Sequence, residues 1–149
     1  MRGGLASLRL AMPLALVGSV TSILGAQIGL ALPTHAVEAA LGLQFAQKQI
    51  TVKAGERVSL TFTNPDVVPH NWVLAKPGSL AALGDAANKL ITDPAALARH
   101  YIPDSPDVLA YTDMANPATS VTIHFTAPAT KGDYPYLCTF PGQIGRAHV

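Results

Sequence analysis

Residues 134–142 read YPYLCTFPG, a β-like run that ends on Cys138 and gives way to the turn residues Pro141 and Gly142. Working outward from it, Lys131-Gly132-Asp133 is a turn. Before that turn, Val121, Ile123 and Phe125 alternate with Thr122, His124 and Thr126 until Pro128 ends the run. Farther upstream Val58, Leu60 and Phe62 alternate with Ser59, Thr61 and Thr63, and Asn64-Pro65-Asp66 breaks the pattern. Residues 70–75 form another β-rich run, and residues 49–52 a further one, before the turn at Lys53-Ala54-Gly55. Period-two apolar patterning in short runs between turn signals is the pattern of an antiparallel sandwich, so the fold class expected is all-β.

One stretch breaks the rhythm. Residues 77–117 hold Ala- and Leu-rich segments at 80–90 and 94–101 that suit short helices, with Asp93 placed to cap the second and Pro94 in its first turn. Pro103 and Pro106 then stop helical structure. This is a helical excursion of about residues 78–101 between strands; with no long linker and no internal repeat, it is not a second domain.

The N-terminus has a different character. Arg2 and Arg9 precede residues 10–32, which carry no charge, and Pro33-Thr34-His35-Ala36 follows with small residues at 34 and 36. That is the order of a secretory signal, which predicts residues 1–36 as a cleaved leader and residues 37–149 as a single exported domain. The alternative is an uncleaved anchor, since the apolar stretch is long enough to span a bilayer. Cleavage after Ala36 removes Arg2 and Arg9 from the ten basic residues and leaves 8 against 9 acidic, a net charge of −1 over 113 residues. No Lys/Arg cluster stands out, so the composition argues against a nucleic-acid partner. The expected location is the periplasm or another exported compartment, with no membrane span after cleavage.

Cys138 is the only cysteine. Exported proteins mostly use cysteine in pairs, because their compartment is oxidising. A lone one is an inert buried thiol, a partner in an intermolecular disulfide, or a metal ligand. His70 opens a β-rich run far upstream in NPDVVPHNWVL, residues 64–74. A histidine and a cysteine at the ends of distant strands can meet at one end of a sandwich, and thiolate with imidazole is a donor set for copper or zinc. The loop over residues 139–142 would hold a further ligand near the sulfur. The other candidates have plainer readings: His124 as a solvated strand residue, His100 as a surface residue, Met114 as packing, Asp104 and Asp107 as turn residues.

Taken together, Asn64-Pro65-Asp66, Pro69-His70-Asn71-Trp72, Pro77-Gly78-Ser79, Pro103-Asp104-Ser105-Pro106 and YPYLCTFPG resemble the plastocyanin/azurin group of cupredoxins, the type 1 (blue) copper proteins. The likeness runs over about two thirds of the chain. It implies an eight-stranded Greek-key sandwich holding one copper ion near one end. It further implies His70 and Cys138 as equatorial ligands and the carbonyl of Pro69 on one axial side. Asn71 would tie the two ligand loops together, and Phe140, Pro141 and Trp72 would shield the metal.

The pattern breaks after Gly142. The family has histidine next and methionine about four residues on; here stand Gln143 and Ala147, with His148 one residue later. The break is abrupt, which favours an altered C-terminus over a changed site or a lost one, and the family's last strand is expected to be missing. Gln143 and His148 are the remaining metal-ligand candidates. The function implied is a monomeric carrier of single electrons, not an enzyme, exchanging them with a haem protein or a dehydrogenase. A copper-delivery module and a metal-free interaction domain are the alternatives.

Overall fold

The computed structural model describes residues 34–40 and 44–143. Among these residues seven strands form two sheets. One sheet has the order β2 (Gln44–Phe45), β1 (Thr34–Ala40), β3 (Arg57–Asn64), β6 (Thr119–Thr126), and the other β5 (Val108–Tyr111), β4 (Val73–Ala75), β7 (Tyr136–Leu137). The all-β sandwich expected from the alternating runs is the architecture observed. The region beyond Gln143, where the family's eighth strand belongs, lies outside the described residues.

β3 and β6 show why alternation produces a sandwich. They pair antiparallel with Val58 opposite Phe125, Leu60 opposite Ile123 and Phe62 opposite Val121. Those six side chains share one face, and Val58, Leu60 and Phe62 are buried there. On the other face the hydroxyls of Thr61 and Thr122 hydrogen-bond at 2.9 Å, as do those of Thr63 and Ser120. Such cross-strand pairs are worth roughly 0.2–1 kcal/mol each. Full burial of an aromatic like Phe62 contributes about 1.5–3 kcal/mol. Phe45, Tyr136, Trp72 and Phe125 complete the core with ring centroids 5.0–6.0 Å apart.

The second sheet is covered on both faces, which explains the unbroken apolar run from Trp72 to Ala75. Trp72 and Leu74 point into the main core, whereas Val73 and Ala75 pack with Leu83 of α1 (Leu80–Lys89) and with Leu137. A strand buried on both sides has no polar face to show.

Several expectations need correction. Residues 49–52 form no strand, while β1 and β2 stand upstream of them. β5, Val108–Tyr111, lies within residues 77–117 but beyond the helical excursion, where no strand was expected. Residues 94–101 do not form a second α-helix. A single 3₁₀ turn, Leu97–Arg99, ends at His100 and Tyr101, both at positive φ (52° and 56°). Asp93 does accept a hydrogen bond from the Ala95 amide, so the capping contact exists without the helix. Pro103, two residues after Tyr101, disfavours helical backbone at Ile102 and closes the segment. Trp72 is a core residue, 1% exposed, in the cluster against which Cys138 packs.

β1 runs parallel to β3, pairing Thr34 with Ser59 through Glu38 with Thr63. The expected cleavage point after Ala36 falls inside this strand; the rest of the expected leader, residues 1–33, lies outside the described residues. Among the described residues no helix is long and apolar enough to cross a membrane.

Candidate metal centre

β4 and β7 are antiparallel neighbours, with Val73 opposite Leu137 and Leu74 opposite Tyr136. Continuing that register past the start of β4 and the end of β7 sets Asn71 opposite Thr139 and Trp72 opposite Cys138, so that His70 and Cys138 are diagonal neighbours on one face. Two residues 68 apart in sequence thus meet at one end of the sandwich, and His70 Nδ1 lies 3.9 Å from Cys138 Sγ. His70 is buried, and its backbone is fixed by a bridge to Ala115: its N–H donates to the Ala115 carbonyl at 3.1 Å and its carbonyl accepts from the Ala115 N–H at 2.8 Å.

The ring is fixed as well. Nε2 lies 3.2 Å from Asp66 Oδ2. An ionised carboxylate can only accept, so the neutral imidazole carries its proton on Nε2 and leaves the Nδ1 lone pair facing the sulfur.

Asn71 locks the two loops together. Its Oδ1 accepts from the Thr139 N–H at 2.8 Å, and its Nδ2 donates to Thr139 Oγ1 and to the His100 carbonyl, each at 2.8 Å. Asn71 and Thr139 are both fully buried. Replacing Asn71 by Ala leaves the Thr139 N–H buried without its acceptor. A loss of about 1–3 kcal/mol is expected from that group alone. Urea denaturation of the metal-free Asn71→Ala protein measures it; a midpoint equal to that of the parent would refute the lock.

The sulfur sits in a half-buried position beyond β7. Burial pushes the Cys138 thiol up to about 11, opposed by hydrogen bonds from the backbone N–H groups of Asn71 and Phe140. In the metal-free protein Cys138 is therefore a protonated thiol at neutral pH, and a cation binding there displaces the proton. Gly142, at φ +87°, turns the chain after Phe140 and Pro141 in a conformation that suits glycine. The turn closes with Gln143 N–H donating to the Phe140 carbonyl at 3.2 Å. The Phe140 ring, two residues beyond Cys138, packs edge-on against Tyr101 with centroids 5.5 Å apart.

The donors fit a small soft cation. At bond lengths of about 2.3 Å to sulfur and 2.0 Å to nitrogen, ligands subtending roughly 120° lie about 3.7 Å apart. The 3.9 Å between Cys138 Sγ and His70 Nδ1 is close to that span. Thiolate with imidazole is a set that copper accepts.

The structure thus brings together His70, Cys138 and Asn71. Pro69 stands half-buried directly before His70, and Gln143 is buried at the end of the loop. Among the described residues, the Gln143 side chain shares no hydrogen bond with His70, Asn71 or Cys138. His148 lies outside the described residues. Three participants went unread in the sequence. Asp66 looked like part of a strand break, although its spacing of four residues before His70 was a signal. Thr139 is the partner of Asn71. His100 has the surface side chain expected of it, 38% exposed, while its carbonyl accepts from Asn71 and its Nδ1 from the Met114 N–H at 3.2 Å.

Comparison with known proteins bears on the same residues. The family of copper binding proteins described as plastocyanin/azurin matches residues 34–147. Auracyanin-A of Chloroflexus aurantiacus is 40% identical over 103 residues, which cover 68% of this chain and 61% of that protein. Azurin-1 of Alcaligenes xylosoxydans xylosoxydans is 32% identical over 113 residues, covering 69% and 83%. The solved structure of auracyanin A, a "blue" copper protein, superposes with a TM-score of 0.67 at 34% identity over 77% of this chain and 93% of that one. The reduced auracyanin of Roseiflexus castenholzii gives 0.63 at 32% identity, over 76% and 89%. The aligned part of the chain spans about three fifths of the length of Auracyanin-A and 43% of Auracyanin-B. With the sandwich, the close approach of Cys138 to His70 and these likenesses in agreement, the chain belongs to the plastocyanin/azurin family of copper-binding cupredoxins, and its cofactor is one copper ion.

Proposed function

We propose that this chain carries single electrons through a mononuclear type 1 copper site held by His70 Nδ1 and Cys138 Sγ. The observation that carries the reading is the 3.9 Å approach of those two atoms, with the far nitrogen of the ring already committed to Asp66. Copper bound there supplies a one-electron Cu(I)/Cu(II) couple.

The chain's own residues do the rest. Asn71 keeps the His70 and Cys138 loops at a fixed separation, so the donors are held in place whichever charge the metal carries. The backbone amides of Asn71 and Phe140 point at the sulfur and favour its anionic form. Phe140, whose ring packs on Tyr101, would limit water at the site. Pro69 offers a carbonyl next to His70, Gln143 offers a side-chain amide from the neighbouring loop, and His148 is the remaining imidazole within reach along the chain.

The electron partner is a redox protein, a haem protein or a dehydrogenase by analogy with the family, and the working compartment is outside the cytoplasm. The uncharged stretch of residues 10–32 behind Arg2 and Arg9 supports export.

A copper titration followed by visible absorption tests the proposal. One equivalent of Cu(II) is expected to raise an intense blue band, which dithionite bleaches and an oxidant restores. Copper bound tightly without that band would favour the delivery reading, which Gln143 in place of an imidazole makes the second choice. Failure to bind copper at all would overturn both.

A further inference from the structure

We infer that Asp66 is a positioning residue for the metal centre, one that fixes the His70 tautomer and biases the bound copper toward its more highly charged state. The inference rests on the reading of His70 as a copper donor and adds what governs that donor.

The carboxylate is held from both sides. Asp66 Oδ1 accepts the Val67 N–H at 2.6 Å, and Oδ2 faces His70 Nε2 at 3.2 Å. The loop that carries it is fixed in turn by Asn64. Asn64 Oδ1 accepts the Asp66 N–H at 2.9 Å, and Nδ2 donates to the carbonyls of Val68 at 2.8 Å and Ala115 at 2.9 Å. Ala115 is also the residue whose backbone bridges to His70. One frame therefore sets both the carboxylate and the imidazole. Asn64 is fully buried, His70 is 3% exposed and Asp66 9%.

Two consequences follow. With Nε2–H donating to Oδ2, the lone pair of His70 is confined to Nδ1, the atom that faces Cys138. A carboxylate behind a metal-bound imidazole also makes the ring a stronger donor. The anion is shielded from water, so its attraction for a cation beyond the ring is weakly screened. That attraction is larger for Cu(II) than for Cu(I), so removing the charge should weaken Cu(II) binding more than Cu(I) binding and raise the reduction potential. A purely structural role for Asp66 would weaken both states together.

The test compares the parent with Asp66→Asn, which keeps a hydrogen-bond acceptor without the charge, and with Asp66→Ala, which removes both. Cu(II) and Cu(I) affinities, the reduction potential and the histidine ¹⁵N NMR spectrum of the metal-free proteins are measured at one neutral pH. The parent should show His70 as the single Nε2–H tautomer, and Asp66→Ala a mixture of both. In Asp66→Asn the Cu(II) affinity should fall about 10–100-fold, the range for loss of a ligand's hydrogen-bond partner. The Cu(I) affinity should fall less and the potential should rise. Should Asp66→Ala fail to fold, Asp66→Asn decides the question alone. Equal losses of Cu(I) and Cu(II) affinity, or an unchanged potential and tautomer, would overturn the inference. A parent protein that binds copper without turning blue would instead count against the electron-carrier reading; the tautomer and the ratio of the two affinities would still report on Asp66.

Discussion

Cys138→Ser is expected to abolish the blue absorption completely and to cost more copper affinity than any other single change in the site. The colour comes from charge transfer between a thiolate sulfur and Cu(II), and the chain has no other cysteine to supply one. Oxygen is also a harder donor, with little preference for Cu(I). The loss of affinity should therefore exceed the about 10–100-fold that follows removal of a ligand's neighbour. The fold should survive. A serine hydroxyl is close to the thiol in size, and it can accept from the same Asn71 and Phe140 amides that now face the sulfur. The stability of the metal-free protein should change by no more than about 1 kcal/mol, the usual weight of one hydrogen bond. The measurements are a copper titration by visible absorption and a urea melt of each metal-free protein. A blue Cys138→Ser protein would remove Cys138 from the centre.

The fold was legible wherever a strand has one wet face. In β3 and β6 the alternation of Val58, Leu60 and Phe62 with Ser59, Thr61 and Thr63 is the physical division between core and solvent, and the pattern located both strands. It failed at β1, whose first residues coincide with the small-residue motif of a leader, so that a single stretch satisfies two readings. β5 was hidden between Pro103, Pro106 and Pro117, after the excursion. The helix expected over residues 94–101 rested on Ala and Leu propensity with Asp93 as cap and Pro94 in the first turn, and these local preferences are weak beside the left-handed backbone at His100 and Tyr101.

The site was legible as chemistry but not as support. A lone cysteine and a histidine at the head of a β-run are compositional oddities, and the antiparallel pairing of β4 and β7 brings them to one end of the sandwich. The residues that hold them are ordinary loop residues in sequence. Asp66 stands in a motif that means a turn, and its second role exists only because Asn64 folds the loop back over Ala115. Trp72, beside the site in sequence, is taken up by the aromatic core, where its ring packs on Phe125 and Tyr136.

Gln143→His is expected to tighten copper binding and to bring the spectrum closer to that of an ordinary blue site. Gln143 stands where the family places its second imidazole, directly after Phe140-Pro141-Gly142. A neutral amide oxygen is a hard and weak donor, acceptable at a long axial position and poor in the equatorial plane, above all for Cu(I). Position 143 is well placed for the exchange. Its side chain is buried, its backbone is tied to the Phe140 carbonyl at 3.2 Å, and the left-handed Gly142 fixes the direction in which the chain leaves the loop. The loop is therefore organised before any metal arrives, and an imidazole there would spend little conformational entropy on binding. An added equatorial imidazole should raise affinity for both oxidation states, unlike Asp66→Asn, which separates them. Titrations of the parent and of Gln143→His with Cu(I) and with Cu(II), read by visible absorption for Cu(II) and by competition with a chelator for both, give the answer. If Gln143→His binds neither ion more tightly than the parent, the loop does not reach the metal, and position 143 is no part of the centre.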